Sequence, residues 1–138
     1  GVFVGPDFSG SRSPLADPHL RGSVIGLGPV GRPEEATSID ALAVLYLAAV
    51  QALAYSTRSI VEAINDARRE AADAVEPIRA IVACGGLAKR GLYIGQHADA
   101  LGMPIFLPRE PGATMPLGCA MLAATAAGAF ASVPDAMR

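Results

Sequence analysis

The chain has 138 residues, of which 51% are hydrophobic and 17% charged, with no Trp and a formal charge of −2. That length suits one domain with a respectable core. The near-neutral balance, without a long basic run, argues against nucleic acid or an anionic membrane surface as the main partner, because both reward clustered Lys and Arg. A small ligand or a protein partner is expected instead.

Residues 2–4 read as the tail of a strand. The first residue is Gly, with neither a basic lead nor an apolar signal-peptide core behind it, so a piece of a larger protein is expected. Residues 5–21 are rich in turn formers, and Asp7, Arg12, Asp17 and Arg21 alternate in sign, which predicts a loop locked by ion pairs. Residues 22–27 form a short apolar run, an expected edge strand, followed by a flexible polar connection over residues 28–35.

A long helix is then predicted, with Thr37 or Ser38 as N-cap and Asp40 in its first turn. Ile39, Leu42, Leu45, Tyr46, Ala49, Val50 and Leu53 begin an apolar series at spacings of three and four. Polar residues cluster after Gln51, so burial on nearly all sides is expected in the first half and one solvated face in the second.

Residues 73–77 break that pattern. Residues 78–84 read as a strand covered on both faces, being nearly all apolar. A helix over residues 92–101 should be closed by Gly102, and residues 103–107 form a second buried strand. A turn-rich loop over residues 108–113 leads to a last helix over residues 115–130. The order strand, helix, strand, helix predicts parallel pairing through right-handed crossovers.

Residues 115–133 are uncharged but dominated by Ala and punctuated by Pro116, Gly118 and Gly128, which favours a buried helix over a membrane span. Cys84 and Cys119 lie far apart, at a strand end and in this Ala-rich helix. Both are expected to be buried, reduced packing residues of an intracellular protein.

The chemistry concentrates at Cys84-Gly85-Gly86-Leu87-Ala88-Lys89-Arg90-Gly91. A glycine pair where a strand hands over to a helix leaves amides unpaired and backbone uncovered, so a flat or anionic ligand can approach closely. Gly91 is followed by Leu92 rather than Lys and Ser or Thr, so the phosphate-loop template fails. The glycine spacing also misses the dinucleotide fingerprint, and the next strand lacks a terminal acid. Adjacent glycines occur in ordinary turns too, and Lys89 and Arg90 suit nucleotide contact or plain solvation equally. His19 and His97 sit in no metal-ligand spacing, the serines form no nucleophile elbow, and the 13 carboxylates form no convincing catalytic pair. Neither a metal site nor a catalytic residue is expected within this chain.

Three motifs carry a family likeness: Pro6-Asp7-Phe8-Ser9-Gly10-Ser11-Arg12-Ser13-Pro14 with Arg21-Gly22 beyond it; the helix from Leu45-Tyr46-Leu47 to Ala54-Tyr55; and Cys84-Gly85-Gly86-Leu87-Ala88-Lys89 running into Gln96-His97-Ala98-Asp99. Together they make the chain closely similar to the C-terminal domain of FGGY carbohydrate kinases, and most similar to the ribulokinase-like branch. The resemblance implies an α/β fold of the ribonuclease H-like, actin-like ATPase type, present in part, with a mixed sheet and flanking helices across residues 1–138. It implies that Gly85 and Gly86 lie against ATP, that Leu87, Lys89 and Arg90 border the adenosine, and that Mg²⁺ assists transfer of the γ-phosphate to a sugar hydroxyl. A ketopentose such as D-ribulose is the implied acceptor, a cytoplasmic enzyme the implied setting, and a homo-oligomer a compatible assembly. The family's sugar contacts and catalytic aspartate would lie before Gly1, leaving this segment inactive alone. Residues 28–38 are longer than the usual link, which suggests a surface insertion. A non-catalytic nucleotide-binding or interaction module with an actin-like half-fold is the alternative expectation.

Overall fold

The structure is a computed structural model that describes residues 1–28, 37–71, 75–110 and 112–138. Two short strands come first. β1 (Phe3–Gly5) pairs antiparallel with β2 (Ser23–Ile25), with Val4 opposite Val24. The loop between them folds back on itself, Ser11 N–H donating to the Asp17 carbonyl at 2.8 Å. The expected ion-pair lock is absent among the described residues. Asp17 instead accepts the His19 amide, and Arg21 donates to the carbonyls of Pro18 and Leu20. Backbone groups close the loop because these side chains find a carbonyl or amide within three residues before they find an opposite charge.

The expected connection over residues 28–35, and with it most of the suspected insertion, lies outside the described residues apart from Gly28. The chain is described again at Thr37. α1 (Ile39–Glu70) runs for 32 residues, roughly 48 Å at the helical rise. Ser38 is its N-cap, the hydroxyl accepting the Ala41 amide at 3.1 Å, and Asp40 places an acid in the first turn. Arg68 and Arg69 complement the dipole at the other end, where Arg69 pairs with Asp66. By length and apolarity alone α1 could cross a membrane, one window reaching a mean hydropathy of 1.6. A core helix meets the same criterion, and α1 packs against both β1 and the later helix α2.

The residues α1 buries are Ala48, Val50, Ala52, Ala54 and Val61, small side chains that allow close approach. Burial nearly all round its first half does not occur: Ile39 is 78% exposed, and Leu42, Tyr46 and Leu53 are also exposed. Hydrophobicity expresses a demand for cover, and the described part of this chain places no element over that end.

The strand expected over residues 78–84 shortens to β3 (Ile81–Val82), which pairs in parallel with β4 (Ile105–Phe106). Parallel pairing was expected, yet Val82 is 73% exposed, so one face of this pair stands open. Packed layers cover the faces of such paired strands, and no described element covers Val82. Between them lie a 3-10 turn (Leu87–Lys89) and α2 (Gly91–Leu101), which Gly102 terminates at φ 64° as anticipated. α3 (Thr114–Ala126) and α4 (Val133–Ala136) end the chain. α3 buries no residue, contrary to expectation, because its alanines are spread round every face and form no apolar stripe to dock.

Cys84 and Cys119 are both exposed free thiols, not packing residues. Their burial was inferred from flanking apolar residues, which themselves face outward here.

Ala54 has 0% exposure and sits where α1 meets α2. Replacing it with Leu should cost about 1–3 kcal/mol of unfolding free energy by overpacking, whereas Ser38→Ala should cost about 1 kcal/mol through the lost cap. Urea denaturation followed by circular dichroism measures both.

Candidate functional site: the glycine turn between β3 and α2

β3 delivers the chain to Cys84, and the turn follows at once. Gly85 adopts φ 92°, a left-handed backbone that L side chains avoid. Gly86 returns to helical angles, φ −63° and ψ −40°, and opens the 3-10 turn. Lys89 N–H donates to the Gly86 carbonyl at 3.3 Å and Arg90 N–H to that of Leu87 at 3.0 Å. Arg90 is extended and hands over to α2 at Gly91. Ala88 is buried and pins the turn from below, while Leu87, Lys89 and Arg90 stay exposed.

Two features make the turn receptive. No side chain caps the 3-10 turn or α2, so their leading amides stay available as donors. A Cβ built on Gly85, Gly86 or Gly91 would meet no heavy atom within 4 Å. The glycine pair is therefore not required by crowding from the described chain. Gly85 answers to backbone conformation. Gly86 has ordinary angles and open space, so nothing in its own surroundings demands the missing side chain.

The five residues singled out from the sequence form one continuous turn, but they do not all face alike. Lys89 reaches across to the loop before α3: a Cβ added at Gly112 would lie 2.6 Å from its Nζ. Its ammonium spans the gap between turn and loop.

α2 is held against α1 by polar clasps that the sequence pattern did not reveal. Gln51 Nε2 donates to Gln96 Oε1 at 2.9 Å, and Arg58 donates to the Ala100 carbonyl at 3.1 Å while pairing with Glu62 at 2.7 Å. These side chains border a groove of about 400 Å³ between the two helices. The i,i+4 spacing of Arg58 and Glu62 was a readable signal; the pairing of positions 45 apart was not.

His97 is 5% exposed and donates from Nδ1 to the Tyr93 carbonyl at 2.8 Å, which leaves Nε2 without a partner among the described residues. Its ring lies 4.0 Å from that of Tyr93. Among the described residues no three His, Cys, Asp or Glu side chains gather as metal ligands, and residues 84–91 hold no carboxylate. The turn offers open backbone and uncapped amides to a flat or anionic group but no side-chain oxygen to Mg²⁺.

A model of the FGGY family of carbohydrate kinases, C-terminal domain, matches residues 1–127. The chain belongs to this family. The FGGY carbohydrate kinase domain-containing protein of Homo sapiens is 45% identical over 136 residues, covering 99% of this chain and 22% of its own length. A D-ribulokinase of Saccharomyces cerevisiae is 35% identical, covering 94% of this chain and 16% of its own. The structure of a xylulose kinase from Brucella ovis superimposes with a TM-score of 0.61 at 28% identity, over 79% of this chain and 19% of that one. A Plasmodium falciparum glycerol kinase, solved with ADP, shares the fold with a TM-score of 0.64 at 20% identity, over 96% of this chain and 23% of its own. This FGGY chain thus spans about a fifth of the length of the curated relatives it matches, and its fold is the actin-like α/β fold of these kinases.

The two glycines should respond differently to a methyl group. Gly85→Ala should lower stability by about 1 kcal/mol or more, the cost of a side chain at positive φ. Gly86→Ala should stay within about 0.5 kcal/mol of the parent. Chemical denaturation of the two variants distinguishes them.

Proposed function

We propose that this chain forms the nucleotide-binding part of an ATP-dependent carbohydrate kinase that transfers the γ-phosphate to a hydroxyl of a sugar, a ketopentose such as D-ribulose. The observation that carries the reading is Gly86: a glycine in ordinary backbone geometry, with open space where a side chain would go. Close approach of a ligand accounts for such a residue where fold sterics do not. Family membership points that ligand toward ATP, and the ADP of the glycerol kinase neighbour supports it.

The preference for a ketopentose rests on the D-ribulokinase of Saccharomyces cerevisiae and a ribulokinase of Mycolicibacterium smegmatis, 35% and 36% identical. Glycerol kinases at 30% identity show how widely acceptors vary within the family.

In this reading the turn does three things. Gly85 bends the backbone so that the uncapped amides are presented to the nucleotide. Gly86 lets the nucleotide approach without a side chain between. Leu87 and Arg90, both exposed beside it, border the adenosine, with Lys89 across the gap to Gly112. The turn orients the nucleotide while the group that accepts the sugar hydroxyl's proton comes from elsewhere in the protein. Mg²⁺, which the family implies, would be held by groups outside this turn. We place the enzyme in the cytoplasm, where its two free thiols would stay reduced.

Gly86→Val in the full-length protein should raise the apparent KM for ATP about tenfold, while that for D-ribulose changes less than twofold. Steady-state kinetics with each substrate varied in turn tests this. Equal increases in both constants would reduce the turn to a structural support.

A further inference from the structure

A second cavity, of about 290 Å³, lies between the loop after β1 and one face of α1. The loop lends it Asp7, Ser11 and Ser13, and the helix lends Tyr55, Ser56 and Ser59. Ala52, Tyr55, Ser56 and Ser59 follow the spacing i, i+3, i+4, i+7, so they form one stripe of α1 facing the loop. Tyr55 also borders the groove between α1 and α2, standing as the ridge between the two hollows. No residue of the glycine turn lines this cavity.

Its chemistry is specific. The Asp7 carboxylate and the hydroxyls of Ser13, Tyr55, Ser56 and Ser59 take no hydrogen-bond or ion-pair partner among the described residues, and none is sealed from solvent. A carboxylate only accepts, whereas each hydroxyl both donates and accepts. Apolar surface from Val4, Ala52 and Leu15 completes the wall. No Lys or Arg lines the cavity, so its one charge repels a phosphate ester. A cavity near the lower end of the usual range, about 300 Å³, admits only a small ligand.

We propose that this cavity is a second binding site for a neutral polyol or free monosaccharide, separate from the nucleotide turn and selective against sugar phosphates. Hydroxyls of the ligand meet Asp7 and the serines, and its C–H face meets Tyr55 and the apolar wall.

The test uses the full-length protein and labelled D-ribulose in equilibrium dialysis, without nucleotide. Wild type should show a saturable class of sites that D-ribulose 5-phosphate does not displace. Asp7→Asn should weaken that class about tenfold, and Ser59→Leu, which adds bulk to the lining from an exposed position without altering charge, should abolish it. Melting curves identify any misfolded variant, and Ser59→Leu alone then decides. Neither change should alter kcat or the KM for ATP. A stoichiometry unchanged in a folded Ser59→Leu variant, or full displacement by the phosphorylated sugar, overturns the proposal. Failure of the kinase reading would appear separately, as absent phosphoryl transfer with this class of sites intact.

Discussion

The small side chains along α1 set the terms for everything else in this chain. Ala48, Ala52 and Ala54 are buried where larger residues would hold the neighbouring elements apart. Their size lets β1 with its loop, and α2, approach the same helix. α2 begins directly after the glycine turn, so the contact between α1 and α2 also orients the turn. Two polar links, Gln51 to Gln96 and Arg58 to the Ala100 carbonyl, fix the register of that contact. A hydrogen bond between partly buried amides contributes about 1 kcal/mol of net stability, but its directionality selects one alignment of two otherwise smooth helices.

Around this spine the chain keeps much of its larger apolar surface exposed. Ile39, Leu42 and Tyr46 on α1, Val82 on β3 and Phe106 on β4 face outward. Domains bury such residues by stacking layers. The described layers are two short strand pairs and the helices, in a chain about a fifth as long as its relatives. Hydrophobic pattern therefore overstated burial at the large residues over which the described layers place no element. It was more accurate at Val50, which belongs to the apolar series and which α1 buries.

The same distinction separates what was legible in the candidate site. The glycine pair, its place between strand and helix, and the Gly102 stop could be read directly, because each depends on backbone conformation within a few residues. The N-cap was legible to within one residue, as Thr37 or Ser38, for the same reason. The reach of Lys89 to Gly112 and the gathering of Asp7 with Ser56 and Ser59 were not. These join positions far apart in sequence, and no period or spacing encodes such a meeting. The ion-pair loop failed instructively: alternating charges at Asp7, Arg12, Asp17 and Arg21 gave a plausible pattern, but nearby backbone groups captured Asp17 and Arg21 first.

By itself the sequence determined the α/β class, the parallel strand pair, the long capped helix and the glycine turn, since propensity, capping and positive-φ demands act over short range. Its motifs also marked the FGGY family that the comparisons establish. Tertiary structure alone decided which apolar residues are covered, that the space beside Gly85 and Gly86 is open, and that a hydroxyl-lined cavity opens beside α1. Each of those depends on the distance between elements, and that distance is set by the bulk of the side chains packed between them.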